Sequence, residues 1–149
     1  MIQKLQVNVK KLRENAKIPT YGTDCAAGAD LYAVLDETVE IAPSETKFIP
    51  TGLAFEIPEG LAGLIYARSG LSCKHGLAPA NKVGVVDSDY RGEVMVALHN
   101  HSKETKTVEN GDRVAQIVFA PYIKGIFNEV DSVEDSERGA GAFGSTGKK

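Results

Sequence analysis

Short apolar runs cut by glycine, proline and aspartate set the rhythm of this chain. The runs favour Val, Ile, Leu and Tyr at strand lengths, and no stretch sustains a helical apolar period for three turns. LQVNVKKL, ADLYAVL, TVEIAP, TKFIPTGLAFEIP, LAGLIYAR, VGVVDSDYRGEVMVALHN, TKTVENGD and RVAQIVFAPYI read as strands or strand pairs. The pattern predicts an all-β core, with turns spaced as in a sandwich or barrel. One brief helical turn fits SGLSCKHG, residues 69–76, where a loop leaves a strand.

After Tyr122 the apolar run stops, acidic residues gather in NEVDSVEDSER and glycine takes over. The expected division is a β core over 1–127 and a mobile tail over 128–149. Such a tail buries too little apolar surface to offset its chain entropy, so it orders only when something binds. Phe143 is its only aromatic, set among Gly139, Gly141, Gly144 and Gly147. The end of the tail imitates a phosphate-binding P-loop. It has Ala142 where the first glycine belongs and Lys149 where the hydroxyl residue belongs, with no helix to follow.

Composition narrows the picture. With 149 residues, 42% hydrophobic and 25% charged, the chain suits one soluble domain with a real core. MIQKLQVNVKKLREN has no apolar block of signal-peptide type, and no later segment is long enough to span a bilayer. The expectation is a cytoplasmic protein, or a nuclear one in a eukaryotic or viral setting, with no membrane partner. Cys25 and Cys73 lack a C-x-x-C partner, which argues against a zinc site or a disulfide framework. A net charge of −3 with no basic run leaves no footprint for nucleic acid. Any anion is therefore bound locally.

NKVGVVDSDYRGEVMVALHN, residues 81–100, has the shape of a β-hairpin with DSDYRG at its tip. Val83, Val85 and Asp87 share one side of the first strand, so a carboxylate ends an apolar face. Asp87, Ser88 and Asp89 also suit an ordinary turn, but Tyr90 adds an aromatic that can hold a ring or sugar while an acid polarises water. YARSGLS offers either an anion site built on Arg68 and Ser69 or a plain basic residue before a turn. His99 and His101 flank Asn100 at a spacing that can chelate metal, though two histidines without a third ligand are more often surface residues. Asp30 in AAGADLYA is a turn cap or a carboxylate facing hydrated magnesium. In NGDRVAQIVFAP, Gln116 is an amide inside an apolar strand and needs either backbone or ligand partners.

In order, AGADLYA, ARSGLS, NKVGVVDSDYRGEV, NGDRVAQIVF and RGAGAFGSTG resemble the motifs of the homotrimeric dUTPases, and they cover nearly the whole chain. The resemblance implies a jelly-roll-like subunit and a homotrimer whose active sites draw on more than one chain. It implies magnesium-assisted hydrolysis of dUTP to dUMP and pyrophosphate, which limits uracil in DNA and supplies dUMP for dTMP synthesis. By position, Asp87 matches the residue that activates water, and Tyr90 the one that packs on the deoxyribose. Asn81 and the backbone of Gly84, Val85 and Val86 match the uracil-reading segment, with Met95 also among the substrate contacts. Arg68, Ser69, Gly70 and Gln116 match phosphate contacts, and Asp30 the carboxylate that meets magnesium through water. In the tail, Arg138 matches the arginine for the terminal phosphate and Phe143 the aromatic over the uracil, with Gly144 and Ser145 beside it.

Three positions depart from the pattern. Ala67 replaces a proline before Arg68, Ala140 a hydroxyl residue and Ala142 a glycine. If residue 142 takes positive φ, the alanine costs on the order of 1 kcal/mol. Two other readings stay open: a dCTP deaminase-like relative on the same fold, and a trimeric nucleotide-binding or signalling module with little catalysis.

Overall fold

The structure, a computed structural model, describes residues 2–144. Its largest sheet has five strands. At the centre is β12 (Arg113–Pro121), flanked by β3 (Ala29–Tyr32) and β7 (Leu61–Tyr66), with β2 (Thr20–Tyr21) and β9 (Gly84–Val86) at the edges. A three-stranded sheet sets β10 (Met95–Asn100) between β5 (Thr46–Pro50) and β8 (Leu77–Pro79). Two pairs complete the β structure: β1 (Asn8–Lys11) with β6 (Leu53–Glu56), and β4 (Val39–Ile41) with β11 (Lys106–Val108). All the ladders are antiparallel. Helix α1 (Ser69–His75) fills the connection after β7 and stops at Gly76, whose φ of 71° takes the left-handed cap that glycine adopts without strain. The fold is all-β, as the apolar spacing predicts, and jelly-roll-like, as the resemblance implies.

Alternation explains the layers. In β10 Val96, Leu98 and Asn100 turn inward while Met95, Ala97 and His99 turn outward. Leu31, Ile41, Ile49, Leu53, Leu98 and Ile117 are fully buried in one shared core. Burying each contributes roughly 1.5–3 kcal/mol. Thr51 and Asn100 are the buried polar residues among those described, and both are satisfied. Thr51 donates from Oγ1 to the Val94 carbonyl at 2.6 Å. Asn100 donates from Nδ2 to the carbonyls of Ile41 and Glu104, and its Oδ1 accepts from the amide and hydroxyl of Ser102. That amide ties β4, β10 and the loop before β11 together.

The segment 81–100 corrects the hairpin expectation. β9 pairs with β7, whereas β10 pairs with β5 and β8, so the chain crosses from one sheet to another at the tip. The reason lies in β10, whose two edges are already taken, leaving none for β9. Alternation specifies which face of each strand is buried, and says nothing about which neighbour it chooses.

The last strand ends at Pro121. Beyond it Ile123, Ile126 and Phe127 are almost fully exposed, and no strand is assigned among residues 122–144. No helix among the described residues is long and apolar enough to cross a membrane.

Replacing Asn100 with alanine strands buried carbonyls and an amide at once. The expected loss is about 2–3 kcal/mol of unfolding free energy, read from denaturant midpoints. A loss under about 0.5 kcal/mol, the usual range for a surface residue, contradicts the hub role.

Candidate active site

Edge position gives β9 its chemistry. One side of its backbone bonds to β7 and the other has no strand partner. That open side borders a cleft of about 390 Å³ lined by Asn81, Gly84, Val85, Val86, Asp87, Tyr90 and Met95 among others. An unpaired strand edge is a ready row of hydrogen-bonding groups for a flat polar ligand. Gly84 keeps the row accessible, because a Cβ there would sit 3.2 Å from Asn81 Nδ2 and 3.3 Å from Ile65 Cβ. Val83, Val85 and Asp87 are exposed together while Gly84 and Val86 are buried, as period-two alternation requires.

The turn after β9 is braced from within. Tyr90 donates its amide to the Asp87 carbonyl at 3.2 Å and its hydroxyl to the Glu93 carbonyl at 2.9 Å. Arg91 donates from Nη1 to the carbonyls of Ser88 and Tyr90. Glu93 accepts from the Gly52 amide at 2.8 Å, anchoring the returning chain to the core. Gly92 leaves room for the Tyr90 ring, since a Cβ there would lie 2.4 Å from Tyr90 Oη and push the exposed side chain aside. Asp87 stands exposed at the cleft and makes no ion pair among the described residues. A free carboxylate beside an apolar cleft is equipped to take a proton from water.

A second group lies on the outer face of the five-stranded sheet. Cross-strand register lines up Thr20, Asp30, Gln116 and Tyr66, with Arg68 just beyond the end of β7. Arg68 Nε donates to Asp30 Oδ1 at 2.8 Å, and Arg113 Nη1 to Asp30 Oδ2 at 3.3 Å. Gln116 is half-buried and donates from Nε2 to the Ala67 carbonyl at 2.9 Å. Its oxygen fills the space over Gly28, where a Cβ would meet it at 2.2 Å. Arg68 precedes α1 with an extended backbone, and its guanidinium, having donors only, caps no amide and instead holds Asp30. The amides of Ser69 and Gly70 thus open the helix without a side-chain acceptor from that residue. Arg68, Gly70, Lys74, Lys106 and Arg113 line a cleft of about 500 Å³ on this side.

The expected site residues therefore fall into separate groups within one chain. Asn81, Gly84, Val85, Val86, Asp87, Tyr90 and Met95 share the apolar cleft, whereas Arg68 and Gly70 line the basic one, next to Asp30 and Gln116. In the tail, Arg138 Nε donates to the Gly141 carbonyl at 2.9 Å, and Phe143 is fully exposed with φ of 50°. Positive φ falls on Gly139, Phe143 and Gly144 and not on Ala142, so the alanine is unstrained in this conformation. Ser145 lies outside the described residues. Sequence reading passes over Arg113 and Glu93. An arginine directly after an Asn-Gly-Asp turn is the signal for the first, and nothing local marks the second.

The histidines make no metal pair. His99 Nδ1 meets Thr46 Oγ1 at 2.9 Å, and His101 Nε2 meets the Ser72 carbonyl at 3.3 Å. Among the described residues no group of three or more His, Cys, Asp or Glu is placed to hold a metal. Asp30 offers one carboxylate, already shared by two guanidinium groups. Such a donor set does not cage a resident ion. It fits magnesium that arrives on phosphates, for which one carboxylate and several waters suffice.

An edge strand open to a flat ring, a free acid at its end and a guanidinium-bearing face define the class: an all-β protein built to handle a nucleotide. The family model for dUTPase matches residues 14–147, and the chain belongs to the dUTPase family. It is 45% identical over 151 residues to the deoxyuridine 5'-triphosphate nucleotidohydrolase of Serratia proteamaculans, covering 99% of each chain. The protein of that name from Desulfitobacterium hafniense is 48% identical over 146 residues, covering 96% of this chain and 97% of its own. Among solved structures, the Staphylococcus bacteriophage 80alpha dUTPase with dUPNHPP superposes with a TM-score of 0.86 at 31% identity, over 97% of this chain and 99% of that one. A variant dUTPase from phage phi11 of S. aureus, solved to show coordination of a structural Mg(II) ion, gives 0.78 at 28% identity over 88% of this chain and 100% of its own.

Gly92→Ala is expected to swing Tyr90 off its place and break its bond to the Glu93 carbonyl. A crystal structure of the variant checks this, and an unmoved ring contradicts it.

Proposed function

We propose that this protein hydrolyses dUTP to dUMP and pyrophosphate, and the observation that carries the reading is Asp87 standing free where the open edge of β9 meets the apolar cleft. The backbone of Gly84, Val85 and Val86, with the Asn81 amide, reads the polar edge of uracil. Cytosine reverses donor and acceptor at two positions and leaves those groups unpaired. Sites of that kind reject the wrong partner by about four orders of magnitude. Thymine shares uracil's polar edge, so its methyl is excluded by the close backbone approach at Gly84. Tyr90 packs against the deoxyribose and leaves no room for a 2'-hydroxyl, and Met95 closes the wall beside it.

Asp87 takes a proton from water as the water oxygen attacks the α-phosphorus. The bond from that phosphorus to the α,β-bridging oxygen breaks, and pyrophosphate leaves with the electron pair. Arg68, Gln116 and the amides at Ser69 and Gly70 hold the phosphate oxygens in line. Asp30 would hold hydrated magnesium through water, and the ion, when bound, would supply neutralisation of the charge that develops on the phosphates.

The groups lie in different clefts of one chain, which supports completion of each site between copies in a homotrimer. Segment 128–149 then serves as the lid, with Arg138 on the terminal phosphate and Phe143, Gly144 and Ser145 over the base. The reaction clears dUTP from the precursor pool in the cytoplasm, which limits uracil in DNA, and it supplies dUMP for dTMP synthesis.

Incubation with dUTP, dCTP, dTTP and UTP should release pyrophosphate from dUTP alone, and no release from dUTP overturns the proposal. Asp87→Asn should keep dUTP binding while kcat falls by about two to four orders of magnitude. Unchanged turnover removes Asp87 from the base role. Truncation after Val133 should leave a folded core with poor catalysis, because closure excludes water from the site. Full activity in the truncated protein would show the lid to be dispensable.

A further inference from the structure

Arg113 stands three residues before Gln116, an odd separation that puts two side chains on opposite faces of a regular strand. Here the register shifts between Arg113 and Ala115, so that Arg113 lies opposite Tyr32 while Gln116 lies opposite Asp30. Asp30 and Tyr32 are two apart and share a face. The bulge therefore turns Arg113 out onto the face of Asp30 and Gln116, and Val114 and Ala115 are consecutively buried behind it. Without the extra residue, Arg113 would oppose Ala33 and point into the core. Bulges beside functional sites re-aim side chains in this way.

What Arg113 reaches is an enclosed charge. The Asp30 side chain is 13% exposed, against 27% for Arg68 and 52% for Arg113. Each guanidinium holds one of the two carboxylate oxygens. Arg68 gives Asp30 its Nε alone, so its terminal nitrogens are left for a phosphate while its charge stays shared with the carboxylate. An enclosed carboxylate with one cation keeps that charge for itself, so Asp30 alone would hold Arg68 back. A second cation entering from the exposed side neutralises the carboxylate and leaves the charge of Arg68 to the phosphate.

We infer that Arg113 is a positioning residue that retains Asp30 and so frees Arg68 for the phosphates, itself touching no substrate atom. This rests on the phosphate role proposed above for Arg68, but not on base recognition or turnover. The probe is therefore inorganic triphosphate, titrated calorimetrically into the full-length protein with a chelator present. Arg113→Gln should weaken triphosphate binding about tenfold in the otherwise unchanged chain, and less than about twofold when Asp30→Asn is already present, because no carboxylate then restrains Arg68. Arg113→Lys should recover most of the loss, and thermal midpoints of all variants should stay within a few degrees of one another. Equal weakening in both backgrounds would mean that Arg113 meets phosphate directly, and overturns the inference. So does a parent protein that binds no triphosphate. Coupling of the expected size in a protein that releases no pyrophosphate from dUTP would sink the proposed activity while leaving this inference standing.

Discussion

Strand β12 runs between β3 and β7, and the register of its two ladders is the constraint on which the outer face depends. Gln116 is opposite Asp30 on one side and Tyr66 on the other, so one rung carries an acid, an amide and the exit toward Arg68. The same strand sends Ile117 into the core with no exposure, which pins the register, because a slip of one residue would bury Gln116 and expose Ile117. Core packing and site geometry are thus one specification. The single irregularity, the bulge after Arg113, adds a second guanidinium to that face without disturbing the buried row.

The opposite end of the sheet works by omission. β9 is short, sits at the edge and has no strand on its far side, because β10 is already sandwiched between β5 and β8. An exposed edge is ordinarily a liability for association, and natural proteins keep such edges short or covered. Here the edge is three residues long and opens on a cleft ended by Asp87 and roofed by Tyr90. A protein of net charge −3 can still bind a triphosphate under these conditions, since the cations that matter are local and placed by strand register.

Much of this was readable in the residues themselves. Alternation such as Val96, Leu98 and Asn100 inward against Met95, Ala97 and His99 outward is local, so the strands and their buried faces follow from pattern. Helix α1 and its glycine stop were equally local. Pairing was not: the stretch 81–100 reads as a hairpin, and only the competition of β5 and β8 for β10 shows why it is not one. The two short strands Thr20–Tyr21 and Leu77–Pro79 carry too few residues to show a period. Asp30, Arg68 and Gln116 could be named from their motifs, yet the bond from Arg68 to Asp30 spans 38 residues and the bulge that adds Arg113 depends on tertiary pairing. Neither is visible before the fold is.

In the proposed trimer Asp87 of one copy works with the Arg68 face of another, since a single chain holds them in different clefts. Complementation tests it most directly. Arg68→Ala and Asp87→Asn chains, each inactive alone, are co-refolded and assayed for pyrophosphate release from dUTP. Random assortment in a closed trimer should restore about a quarter of the parent activity, because that fraction of sites unites an intact Asp87 with an intact Arg68. A mixture as inactive as its components would place both residues in the same chain's site and contradict the account.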